Sequence, residues 1–203
     1  MSAYKLVQKF EDRADFPVRL DEVRDAVVQL GGSDVIQFKS VDIDKDTLKG
    51  ICYRYRPIAQ PYAREEEWVD IIYAESLSEE WRRIVVTKEL IHVLDKDGHR
   101  ITTDHQLDDL VRRMARRPEL RDGFSAAETS DRVGLFQALG ILFPFEARRL
   151  IKPKYDLGHI SDEMIAHRAA IPLSFVPFVM SDEWADTYDF LMKLCEGLPA
   201  AAE

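Results

Sequence analysis

The sequence of 203 residues has little cysteine and lacks a long apolar run. Cys52 and Cys195 are far apart and form neither a disulfide framework nor a C-x-x-C pair for a thiolate zinc site. No segment approaches the ~20 consecutive apolar residues that a membrane helix needs. Residues 1–15 lack the apolar run of a signal peptide. We therefore expect a cytoplasmic protein that has no membrane partner.

Positive charge is also in deficit, because 28 Lys and Arg residues stand against 37 Asp and Glu residues, giving a formal net charge of −9. An acidic balance argues against nucleic acid as a general partner, since phosphate-binding surfaces are basic. There is one local exception, a basic cluster made of Arg112, Arg113, Arg116 and Arg117. Its spacing of four residues is typical of a solvated helix face, with an anion or nucleic-acid contact as the alternative.

Hydrophobic residues make up 46% of the chain, which is enough for one ordered domain over residues 1–203. The predicted segments are an irregular N-terminal segment (1–16), a helix, sheet and active-site helix (20–95), an inserted helix and loop (96–130), a helical half (131–194) and a tail (195–203). Between residues 34 and 78, VIQFKSVDI and LKGICYRYR alternate apolar and polar residues, and WVDIIYAES is a third strand candidate. This alternation predicts half-buried strands in a small antiparallel sheet.

The long helix predicted over residues 77–94 carries the most informative pattern, Lys-Glu-Leu-Ile-His. Two histidines at positions i and i+4 can hold a zinc ion on one helix face, and a glutamate directly after the first can act as general base on a zinc-bound water. Here Glu89 occupies the position of the base and His92 that of the second ligand. Lys88 stands at the position of the first ligand.

The stretch from Asp70 to His92 resembles the core of the ImmA/IrrE-type metallopeptidases, in which a strand and a short loop precede a helix with the motif His-Glu-Leu-x-His. Arg83, Glu89, Leu90 and His92 match that pattern, and Lys88 replaces the first histidine.

A second family motif, with a glutamate as third zinc ligand, resembles residues 131–144. Ala138, Ile141, Leu142 and Pro144 match it, Asp131 stands at the ligand position, and Gly134 and Gln137 replace an alanine and a phenylalanine. Residues 158–176 resemble the closing segment of the family. The resemblance covers roughly residues 20–180 and implies an α+β, zincin-like fold, in which the small antiparallel sheet packs on the active-site helix and a helical half follows.

Lys88 changes what the resemblance implies for a cofactor. A protonated lysine has no lone pair and cannot bind zinc, so we expect no cofactor and predict that Lys88 pairs with Glu89 or Asp131, with Asp95 nearby on the helix. In a purely structural interpretation, His92 is a hydrogen-bonded core residue and Glu89 is its structural partner. The alternative is a zinc site that uses His92, Asp131 and a replacement ligand. The candidate replacements are His99, His105, His159 and His167.

These features favour a degenerate member of the family, a pseudoenzyme acting as a regulatory or protein-binding module, associated with a phage or mobile element. The expected partner is a protein or peptide, such as a helix-turn-helix repressor. Tyr55 and Trp68 border a possible peptide-binding strand edge. Two alternatives stay open: an active zinc-dependent endopeptidase that cleaves a regulatory protein with Glu89 as base, and a toxin–antitoxin or phage counter-defence component acting through other surfaces.

Overall fold

The computed structural model describes residues 2–46, 48–56, 66–94 and 126–197, and it has an α+β architecture. The described elements, in chain order, are α1 (Ser2–Glu11), α2 (Leu20–Gln29), β1 (Val35–Val41), β2 (Gly50–Tyr55), β3 (Trp68–Ala74), α3 (Glu79–His92), α4 (Ala126–Leu142), α5 (Phe145–Asp156), α6 (Asp162–Ala169), a 3₁₀ turn (Leu173–Phe175), α7 (Val176–Met180) and α8 (Asp182–Gly197). None of these helices is long and apolar enough to cross a membrane.

The N-terminal segment is a helix, so the prediction of an irregular stretch over residues 1–16 is wrong for Ser2–Glu11. The physical reason is an apolar stripe at helical spacing, formed by Leu6, Val7 and Phe10, all of which are buried in the core. Lys5, Gln8, Lys9 and Glu11 around them give the segment a polar composition. The polar composition of this short amphipathic helix therefore led to the prediction of an irregular segment.

The three strands form a mixed sheet in the order β1–β3–β2, which corrects the prediction of an antiparallel sheet. β2 is antiparallel to β3, as predicted, whereas β1 is parallel to β3. The third strand lies between the first two and runs in the same direction as β1. Alternation of apolar and polar residues shows which side chains share a face, but it does not determine strand order or direction.

The inner face of the sheet packs against α2 and α3. Ile36, Val69 and Ile71 lie on this face and are buried in the same core as Ile84 and Leu90 of α3. α4 packs against α3, and α1 packs against α4. α3 therefore lies in the middle of the domain, between the sheet and the helical half.

Two buried arginines tie the ends of helices to the body of the domain. Arg54 of β2 donates to the carbonyl oxygens of Gly32 and Val93, which follow α2 and α3. Arg148 of α5 donates to the carbonyl oxygens of Val179 and Ser181, at distances of 2.8 and 2.6 Å. Burial lowers the pKa of the Arg148 guanidinium. These hydrogen bonds satisfy carbonyl oxygens at the C-terminal ends of helices or just beyond them, where partners within the helix are lacking.

In the helical half, residues 131–194, the main helices lie where the sequence predicts them. Ser161 caps α6, accepting a hydrogen bond from the amide of Met164 at 3.3 Å. Residues 126–130 belong to α4, where a loop was predicted, and α8 continues through Gly197 into the predicted tail. The basic cluster and the rest of the predicted insertion, residues 96–125, lie outside the described residues.

Candidate functional site

The helix α3 begins at a serine cap and is fixed by a buried arginine. Ser78 accepts a hydrogen bond from the amide of Trp81 at 3.4 Å, as its position before two glutamates predicts. Arg83, one turn further, donates to the carbonyl oxygens of Val18 at 2.6 Å and Ala170 at 3.0 Å. Burial lowers the pKa of the Arg83 guanidinium. The helix that carries the motif is thus fixed to two loops at its N-terminal end.

A glycine in β2 lets α3 approach the sheet closely. A Cβ atom at Gly50 would lie 2.3 Å from Cγ1 of Val85 and 3.5 Å from Cγ of Glu89. Real Cβ contacts are not as short as the first of these distances, so no larger residue fits without movement. Glu89 therefore lies directly against the strand that forms one edge of the described sheet.

We predict that Gly50→Ala lowers the free energy of unfolding by about 1–3 kcal/mol, the usual cost of overpacking a filled core. The added methyl group must displace Val85, whose short branched side chain has little room to move. Chemical denaturation followed by circular dichroism measures the effect.

The control for this change is Gly134→Ala in α4, where the nearest atom would lie 3.2 Å away and belongs to the flexible stem of Lys88. The control also removes a glycine from a helix interior, which is favourable. We expect it to cost less than Gly50→Ala. Equal stability of the two variants would show that α3 and β2 do not pack this closely.

Lys88 and Glu89 form an ion pair, with 2.9 Å between Nζ of Lys88 and Oε1 of Glu89. The side chains are only 16% and 6% exposed. Consecutive residues on a helix do not face each other, so the four-carbon stem of Lys88 must fold across the helix surface to reach the carboxylate. Glu89 and Asp131 were the two partners predicted for Lys88. The ion pair with Glu89 is the one that the described side chains contain.

Lys88 and His92 face α4 at Gly134. A Cβ atom there would lie 3.2 Å from Cγ of Lys88 and 3.5 Å from Nε2 of His92. Asp131 lies one turn before Gly134 in the same helix, and its side chain is not among those described. The helices that carry the two motifs therefore lie against each other at Gly134.

The resemblance implies a zinc ion at this place, and the donor set does not fit it. The first ligand position holds an ammonium group, which has no lone pair and is paired with the carboxylate at the base position. Catalytic zinc sites use three protein ligands and a water molecule. His92 is the one described nitrogen ligand of the motif, and the described side chains contain no group of three His, Cys, Asp or Glu residues that could hold a metal ion.

Of the remaining predicted site residues, the four that the structure describes lie elsewhere. Tyr55 and Trp68 are directly paired across β2 and β3, but they lie on the outer face of the sheet, opposite α3. His159 and His167 are exposed in the helical half. Asp95, His99 and His105 lie outside the described residues.

Two features of the sheet were missed in the sequence. Gly50 was not singled out, although a glycine inside a strand pattern signals close backbone approach. Asp70 was not singled out either, and its carboxylate on the outer face is buried. An alternating strand pattern places this side chain on the outer face, but nothing in the pattern predicts its burial.

Comparison of the chain with protein-family models, with curated proteins and with solved structures gives no match. The resemblance to ImmA/IrrE-type metallopeptidases therefore stands on the motifs in the sequence.

Proposed function

We propose that the protein is a non-catalytic, zincin-like module that binds a protein or peptide partner. The observation that carries this proposal is the ion pair between Lys88 and Glu89, with 2.9 Å between the charged atoms. It places a fixed positive charge at the position where the resembling enzymes have a zinc ligand. The α+β architecture, with the motif helix between a small sheet and a second helix, is compatible with the zincin-like assignment.

The same ion pair engages the residue at the general-base position. A general base must lie within hydrogen-bond reach of the water that it deprotonates. Oε1 of Glu89 is engaged by the ammonium group of Lys88, and the side chain is only 6% exposed. With Lys88 at the first ligand position and its ammonium group on Glu89, we expect this site to contact a partner rather than to hydrolyse it.

The edge of the sheet supplies a surface for the partner. Among the described strands, β2 pairs only with β3. An extended segment can add to such an edge through backbone hydrogen bonds, with its alternate side chains determining specificity. The resemblance to proteins that act on repressors suggests a helix-turn-helix regulator as the partner.

Replacing Lys88 with histidine tests whether the lysine is what closes the metal site. We expect Lys88→His to bind zinc at least about 100-fold more tightly than the unaltered protein, because even the loss of a supporting second-shell partner weakens metal binding about 10- to 100-fold. Competition with a chromophoric zinc chelator measures the affinity.

The matched control is Lys88→Gln, which removes the charge without adding a ligand of the required kind. It is expected to bind zinc no better than the unaltered protein. If Lys88→His folds and still gains no affinity, the zincin-like placement of His92 and Asp131 is wrong. If the unaltered protein binds zinc as tightly as Lys88→His, the active-endopeptidase alternative replaces this proposal.

A further inference from the structure

The outer face of the sheet carries a row of three aromatic side chains, the aromatic row, made of Tyr53, Tyr55 and Trp68. The ring centroids of Tyr53 and Tyr55 are 5.7 Å apart, and those of Tyr55 and Trp68 are 6.2 Å apart. All three side chains are half-buried, so each retains some surface accessible to solvent. Neighbouring rings of this kind offer their faces to cationic or planar groups.

Carboxylates stand at both ends of the aromatic row. Glu66 accepts a hydrogen bond from the indole N–H of Trp68 at 3.2 Å and is exposed. Asp70 is paired with Tyr53 in the sheet register, and its Oδ1 lies 3.5 Å from the hydroxyl of Tyr55. The Asp70 side chain is only 8% exposed. Aromatic faces flanked by carboxylates suit a guanidinium group, which stacks on rings and donates to carboxylates in one plane.

The chain already places one cation at this face. Nζ of Lys39 lies 2.5 Å from Oδ2 of Asp70, and the lysine side chain is 44% exposed on β1. The hydrogen bond to Asp70 raises the pKa of the Lys39 ammonium group. Asp70 therefore holds a positive group at the outer face, beside the hydroxyl of Tyr55.

We propose that the aromatic row binds arginine side chains of an extended segment of a partner protein. This inference rests on the proposed function and names the chemistry of the partner. A strand added beside β2 would direct every second side chain to the outer face, where Tyr53 and Tyr55 lie. The formal net charge of −9 favours the approach of a basic segment.

A nucleic acid is the competing occupant, because bases also stack on aromatic rings. The exposed carboxylate of Glu66 argues against it, since it would face the phosphates of a bound strand. The observations favour a protein segment, and the nucleic acid is one outcome of the test.

The test compares two labelled peptides by fluorescence anisotropy on the full chain. One peptide alternates arginine with threonine, and the other has citrulline, the neutral isostere of arginine, in place of each arginine. We expect saturable binding of the arginine peptide and binding of the citrulline peptide at least about 10-fold weaker, because a neutral group loses the attraction to ring faces and carboxylates. This comparison needs no altered protein.

A variant locates the binding. Trp68→Leu keeps an apolar side chain and removes the indole, and we expect it to weaken binding of the arginine peptide roughly 3- to 10-fold. Glu183→Gln, which removes an exposed carboxylate from α8, is the control for net charge and should leave binding unchanged. Circular dichroism establishes that both variants are folded.

Three results would overturn the inference: no saturable binding of the arginine peptide, equal binding of the citrulline peptide, or tighter binding of an oligothymidylate than of either peptide. An unchanged affinity in a folded Trp68→Leu variant would overturn it as well. The zinc affinity of Lys88→His is independent of the aromatic row. Gain of zinc binding without peptide binding therefore rejects this inference alone, whereas failure of the zinc experiment rejects the proposed function.

Discussion

Lys88→Met is expected to lower the free energy of unfolding by about 2 kcal/mol at neutral pH, since removing one partner leaves a buried charge uncompensated. Fully buried pairs lose roughly 3–5 kcal/mol in this way, and the 16% exposure of Lys88 reduces the effect. Methionine keeps most of the apolar stem, so lost packing contributes little. Urea denaturation of the two proteins measures the difference.

A double-mutant cycle separates the charge from the packing. In a Glu89→Gln background, Lys88→Met should cost less than about 1 kcal/mol, because no buried carboxylate then remains without its partner. The same cost in both backgrounds would mean that Lys88 contributes through its stem alone. The ion pair would then have no energetic role at the position of the metal ligand.

Arg83→Met is expected to be the most destabilising of the substitutions considered, lowering the free energy of unfolding by about 3 kcal/mol. It removes the donors to the carbonyl oxygens of Val18 and Ala170, and each buried acceptor left without a partner costs about 1–3 kcal/mol. Because Arg83 ties α3 to two loops, its loss also loosens the helix that carries the motif. Thermal and urea denaturation measure the effect.

The neighbouring arginine provides a matched control. Arg82 is 40% exposed, and its described contact is an ion pair with Glu79 at 3.9 Å. Arg82→Met should therefore change the stability by less than about 0.5 kcal/mol. If Arg82→Met and Arg83→Met have the same effect, the hydrogen bonds of Arg83 do not hold α3 in place.

The sequence predicted the helices well where a cap or a proline defined their ends. Ser78 and Ser161 cap α3 and α6, and Pro144 separates α4 from α5. These signals are local, because a cap depends on hydrogen bonds within one turn of the helix. α1 was missed because its apolar stripe is short and its composition is polar.

The sheet was predicted only in part, because the direction of β1 depends on which strand becomes its neighbour. The insertion of β3 between β1 and β2 is a long-range choice, and nothing in the alternation of any one strand encodes it. The position of the aromatic row also depends on how β2 pairs with β3. Tyr55 and Trp68 were predicted beside a peptide-binding edge, and the pairing places them on the face of the sheet opposite α3.

The sequence indicated which residues of α3 belong to the candidate site, but it did not indicate which of them contact each other. The spacing of Lys88, Glu89 and His92 located them on one helix, yet residues one position apart do not normally face each other. The ion pair depends on the length of the lysine stem and on Gly50, which brings the sheet against Glu89. Such contacts arise from tertiary packing, which sequence spacing does not describe.

The metal content of the unaltered protein, purified without chelators and without a metal-binding tag, tests the central claim most directly. Elemental analysis is expected to find far less than one zinc ion per chain, because an ammonium group occupies the position of the first ligand and pairs with Glu89. One tightly held zinc ion per chain would contradict the account. It would require Lys88 to leave Glu89, and it would identify the protein as a metal-binding member with a replacement ligand.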